Sequence, residues 1–196
     1  MSACGHTSIQ PWPGVLLLKD LHLIGLIDSN LHTLDNAAEL LRTLSAEDYR
    51  HIHQPYFESS IGKHLRHILD HYLCFQRDFH SGLVDYDQRL RDVKLETDKD
   101  YALTVIAKIV QFLSTLQQQT GQDHPLKVQL CNDVELPAGS ITLSSLGREL
   151  QFLQGHSVHH FALIAAILRL DGHSVSSDFG VAPSTLVHEK TVKETA

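Results

Sequence analysis

The sequence predicts an all-α protein, a four-helix bundle with a short β-hairpin between its third and fourth long helices. Three observations carry that expectation. Four long segments repeat apolar residues at helical spacing, whereas strand-like alternation is confined to one short stretch. At 196 residues, 42% hydrophobic and 20% charged, the chain is long enough to bury a core as one domain.

Residues Met1 to Gly14 carry Gly5, Pro11, Pro13 and Gly14 and read as an irregular lead-in. A short apolar helix is expected around Leu16–Ile27. A first long helix follows over Ser29–Leu44, on Leu34, Ala37, Ala38, Leu41 and Leu44. Ser45 looks like the cap of a short turn running to Tyr49, closed by Pro55. The second long helix starts after Glu58-Ser59-Ser60, and Ile61, Leu65, Ile68, Tyr72, Phe75 and Phe79 form its stripe. Gly82 ends it.

The stretch from Val84 to Asp100 is dense in charge. A third helix is expected over Lys99–Gln119, ended by Gly121. Val128, Leu130, Ile141 and Leu143 alternate around Pro137–Gly139 as a hairpin does. The fourth helix runs from Ser144 or Ser145 to Leu170, and the chain from Ser174 onward is polar. The resulting division is a lead-in over 1–28, a helical body over 29–172 and a tail over 173–196.

A formal charge of −7 and the lack of a Lys/Arg run argue against a nucleic-acid surface. The apolar run Val15–Leu18 is cut by Lys19 and Asp20, which suits neither a membrane span nor a secretory signal. Cys4, Cys74 and Cys131 are an odd set without metal-type spacing, so free thiols in the cytoplasm are expected. The unusual number is 15 histidines, roughly three times an ordinary share.

In the fourth helix His156 and His160 lie four apart, so both rings occupy one face, shared with Leu153, Leu163 and Ile167. His159 sits about 100° from His160 and should face solvent. In the second helix His64, His67 and His71 line one flank of the stripe, and any of them could supply a third ligand. On a helical wheel His64 lies nearer the centre of that stripe than His67 does. Lys63 and Arg66 are expected to face solvent. Cys74 reads as a small buried hydrophobe rather than a ligand.

The segment Ser60-x-Gly62-x4-His67-Ile68 resembles the first metal motif of the DinB/YfiT-like superfamily, and His156-x2-His159-His160 resembles its second. The resemblance covers Ser29 to Leu170, and both motifs are short. It implies a DinB/YfiT-like four-helix bundle with metal ligands at His67, His156 and His160. Asp70 and His71 are then candidates for orienting a ligand ring or a bound water through hydrogen bonds.

Three neutral imidazoles suit one divalent ion, zinc first and nickel or iron next, and leave a position open for water or a thiol. The resemblance implies a metal-dependent enzyme of thiol-transferase or hydrolase type acting on a small-molecule or thiol substrate. The competing expectation is a non-catalytic metal-binding or stress-response protein whose ion is structural or sensory. A third is a haem bundle using two axial histidines. Neither nucleic acid nor membrane is expected as a partner, and a homodimer is preferred. Tyr86, Arg89 and Arg91 of the charged loop could recognise a carboxylate or phosphate. The reading preferred for that loop is a solvated segment with internal ion pairs.

Overall fold

The computed structural model describes residues 13–119, 121–131, 133–135 and 139–195. The chain is mostly helical, with a small three-stranded sheet. Four long helices contact one another pairwise: α1 (Pro13–Thr43) packs on α5 (Lys99–Gln119) and α6 (Leu146–Leu170), and α3 (Ile61–Asp78) packs on the same two. Leu34, Leu41, Leu65, Phe75, Ile109, Leu150 and Ile164 fill the space between them. No helix among the described residues is long and apolar enough to cross a membrane.

The core also holds a satisfied polar link. Asn30 of α1 is fully buried and donates through Nδ2 to the Leu26 carbonyl at 2.8 Å and to the Leu150 carbonyl of α6 at 3.0 Å. Its Oδ1 accepts from the Tyr72 hydroxyl of α3 at 2.7 Å. One amide thus ties three helices together and fixes their relative register, because each of its groups would be costly unpaired.

Local chemistry explains most boundaries. Ser45 caps α2 (Ala46–Arg50) in a capping box with Asp48. Ser60 caps α3 by accepting from the Lys63 amide at 3.1 Å, and Ser145 caps α6 in the same way from Arg148. After α3 a single 3-10 turn ends at Gly82, whose φ of 76° needs a residue without a Cβ penalty.

Several expectations change. Helix α1 is continuous from Pro13, so the separate Leu16–Ile27 helix and the break near residue 28 are absent. Of the expected lead-in, residues 1–12, Cys4 included, lie outside the described residues. Nothing between Ile27 and Ser29 has breaker chemistry, and propagation adds a hydrogen bond per residue once a helix is nucleated.

The expected hairpin is present as β2 (Pro125–Leu130) and β3 (Ser140–Ser145), paired antiparallel. It gains a third strand, β1 (Leu83–Asp85), parallel to β2. That strand comes from the stretch read as a charged loop. Val84 and Tyr86 there are buried at 0% and 1% exposure, and only Asp85 interrupts them, so three residues are too few to show a period. After it a short helix α4 (Lys94–Thr97) leads into α5.

The tail is not loose throughout. Phe179 stacks on Phe161 of α6 with ring centroids 4.8 Å apart. An exposed helix α7 (Pro183–Thr195) follows.

Candidate metal centre

Two helices supply the histidines. On α3 the apolar stripe is buried at Ile61, Leu65, Ile68, Tyr72 and Phe75, which turns the adjacent flank of His64, His67 and His71 toward α6. On α6 Leu153 and Ile167 are buried, with His156 and His160 half-buried beside them. His159 is exposed, as its angle on the helix requires.

Five rings meet where the flanks face each other. The His67 ring lies 4.8 Å from His71, 4.8 Å from His156 and 4.7 Å from His160, centroid to centroid. His156 is 4.1 Å from His71 and 4.6 Å from His160. Ligand nitrogens of His67, His71 and His156 all lie within 4.8 Å of one another. His160 is in ring contact with the cluster but outside that closest set; its Nδ1 is 3.1 Å from Nδ1 of His64. A tetrahedral zinc with bonds of about 2.1 Å needs nitrogens roughly 3.4 Å apart, so a pair at the 4.8 Å limit would close by about 1.4 Å.

The donor set fits a borderline divalent ion on two observations. Nδ1 of His156 is buried and has no hydrogen-bond partner among the described residues, and the same holds for Nε2 of His64. An imidazole nitrogen left dry in this way is costly unless a cation or donor meets it. In addition, every ring is held neutral. Burial first, then the neighbouring histidines, lower His156 to about 2, His67 to about 3 and His160 to about 4, against an ordinary 6.5. Burial also lowers His64 and His71. Neutral imidazole is the form that ligates.

These shifts set an expected pH profile for the metal-free chain. Between pH 6.5 and about 4 the unfolded chain takes up protons that folded His67, His156 and His160 refuse. Stability is therefore full above 6.5 and falls as pH drops from there toward 4. Urea midpoints at neutral pH and in mild acid, with chelator present, check it. A midpoint unchanged across that window would mean that the rings are solvated.

The surroundings differ from expectation in four places. His71, assigned an orienting role, is itself among the closest three. Its Nδ1–H donates to the His67 carbonyl at 2.8 Å, and its Nε2 lies 3.3 Å from Nη1 of Arg89. Asp70 is buried at 1% exposure but makes no bond to a histidine ring. Burial raises its pKa, against the pull of Arg66, Arg89 and Arg91. Arg66 does not face solvent as Lys63 does. Its Nε lies 3.0 Å from Glu96 Oε1, an ion pair rather than an aligned hydrogen bond, and its Nη1 is 3.7 Å from Asp70.

The charged loop is the fourth. It borders the site: Arg89 touches His71, and the Tyr86 ring lies 5.5 Å from that of His71. Tyr86 is committed inward, donating to Glu149 Oε2 at 2.7 Å, so it is not free to recognise a ligand; Ser144 donates to the other oxygen. Cys74 is buried, as expected, and burial pushes its thiol up to about 11, far from a metal-binding thiolate.

Sequence reasoning missed Glu149 and Phe152. Phe152 stacks on His156 at 5.7 Å and touches Tyr86 at 5.1 Å. Its position four residues before His156 was the available signal. Tyr86, Ser144, Glu149 and Phe152 bound a cavity of about 280 Å³ beside the rings. A larger cavity, about 840 Å³, lies between α1, α6 and the segment around Phe179. It is lined by Val158 and Phe161, on the side of α6 turned away from His156, and has no part in this centre.

The comparisons with known proteins agree with the motifs. The family model described as DinB family matches residues 21–183. FK506-binding protein 5 of Rhizopus delemar is 37% identical over 108 residues, which is 55% of this chain and 28% of that protein. The chain therefore covers less than a third of that relative's length. No solved structure matches.

Proposed function

The chain belongs to the DinB family, and from that premise we propose that it holds one divalent ion on His67, His156 and His160 and uses it on a small-molecule or thiol substrate. The ion is zinc, with nickel or iron as the next candidates, and the reaction is of thiol-transferase or hydrolase type. In this reading the four long helices form the family's four-helix bundle. The observation that supports it best is the meeting of neutral, half-buried imidazoles from α3 and α6 around the buried, unpartnered Nδ1 of His156.

The third ligand is chosen between His160 and His71 by electrostatics. A guanidinium already lies against Nε2 of His71, and a dication there would face Arg89 directly. His160 has no such neighbour, and a proton on its Nδ1 would be donated to His64, which would orient the ring. Bound in this donor set, the ion would lower the pKa of a water or thiol in its open position. Arg89 would then bind an anionic substrate group at the rim. Phe152 and Tyr86 wall off water on the side of the smaller cavity, and His64 Nδ1 accepts the proton carried by His160 Nδ1.

The test has two readouts. Elemental analysis should find the ion retained in His71→Ala and lost in His160→Ala; the reverse result moves the third ligand to His71. Turnover of small electrophiles with low-molecular thiols, and of amides, should vanish on chelation and return with zinc or nickel. Activity that survives complete metal removal sinks the catalytic proposal. Metal that raises the melting temperature while no substrate turns over leaves the structural or sensory reading instead.

A further inference from the structure

A second group of ligating side chains lies where α3 begins and α6 ends. His51 closes α2, His53 follows in the loop before α3, and Asp171 closes α6. One ligand atom from each lies within 4.8 Å of the other two. The rings of His51 and His53 meet edge to face at 4.7 Å. His53 Nε2 is hydrogen-bonded to Asp171 Oδ1, and both side chains are largely covered, at 19% and 15% exposure.

That bond leaves something unexplained. Asp171 Oδ2 is also buried, and no donor reaches it among the described residues. A carboxylate oxygen removed from water without a partner is costly. Two further titratable groups nearby, His173 and Asp48, are engaged with each other, Nε2 to Oδ2 at 3.6 Å.

We propose that His51, His53 and Asp171 form a second divalent-cation site, distinct from the histidine centre. Two imidazoles and one carboxylate are a donor set for zinc, nickel or cobalt, whereas calcium and magnesium ask for more oxygens. The carboxylate neutralises half of the ion's charge, which the all-histidine centre does not do. Asp171 follows His160 by 11 residues, about 16 Å along a helix, so the two sites do not share a ligand or an ion. The ion would pin the loop before α3 to the end of α6, elements 118 residues apart in the chain. This site would therefore clamp the segment leading from α2 toward the helix that carries His67 to the end of the helix that carries His156.

Untagged protein is dialysed against zinc with glycine present as a weak competitor, which strips isolated surface histidines. Bound metal is then measured by elemental analysis. Wild type should bind two equivalents, and His51→Ala, at an exposed position that truncation does not unfold, should bind one. Asp171→Asn should also bind one. In the His67→Ala/His156→Ala background one equivalent should remain and should raise the melting temperature; adding His51→Ala should remove both effects. A single equivalent in wild type that His51→Ala and Asp171→Asn both leave in place overturns the proposal, as does any zinc content indifferent to both substitutions. Because the double background lacks the centre proposed above, failure of that centre and failure of this site read differently.

Discussion

Protein carrying His156→Ala should bind one metal equivalent fewer than wild type, with affinity at the histidine centre down more than about a hundredfold. Loss of a direct ligand exceeds the roughly 10–100-fold cost of losing a group that merely orients one. His156 is the decisive position because it touches every alternative: its ring contacts His67, His71 and His160. Whether His160 or His71 completes the set, removing His156 removes a ligand. The metal-free variant should fold almost as stably as wild type, since the lost Nδ1 had no protein partner to abandon. The gap should open only with metal. An ion at 100 times its dissociation constant stabilises the folded chain by about 2.7 kcal/mol, and the variant forfeits that gain. His159→Ala, exposed one residue before His160, is the matched control and should retain full binding. Equal metal content in wild type and His156→Ala would end the assignment.

The pattern of what could be read in advance has a physical cause. The long helices were legible because burial writes a 3.6-residue period into any helix packed on one side. Ile61, Leu65, Ile68 and Phe75 show it without help from context. The hairpin was legible at period two, and burial accounts for β2, where Leu126 and Val128 are covered, but not for β3, whose Ile141 and Leu143 are exposed. Strand β1 was not legible, because three residues, Leu83 to Asp85, hold no period. Parallel pairing with β2 is a long-range event that local composition does not encode.

At the site, spacing four apart put His156 and His160 on one face, where their rings meet at 4.6 Å, whereas on α3 the helical wheel favoured His64 and the motif His67. The structure places His71 against His156, and what argues against it as a ligand is Arg89, 18 residues away. Charge brought in by the fold is invisible to a helical wheel. The His51–His53–Asp171 cluster is the extreme case, since its members are joined only by tertiary structure.

Gly62 gives the first motif a packing role beside the ligation proposed for His67, and it makes the largest stability prediction. A Cβ built there would lie 2.1 Å from the Glu96 carbonyl oxygen and 2.9 Å from Tyr49 Cε1. The oxygen is main chain in α4, and the Tyr49 hydroxyl is itself bonded to the Leu95 carbonyl, so neither obstacle can swing aside. Gly62→Ala must push α3 off α4. Overpacking of this kind costs about 3 kcal/mol, more than the roughly 1 kcal/mol that alanine gains over glycine by helix propensity. Gly25→Ala in α1 supplies the opposite sign. Nothing lies within 4 Å of its added methyl, so propensity alone acts and stability should rise by about 0.5–1 kcal/mol. Urea unfolding of both variants without metal isolates the packing effect. Should Gly62→Ala unfold at or above the wild-type midpoint, α3 does not pass this close to α4. The turn of helix that aims His67 at α6 would then need another support.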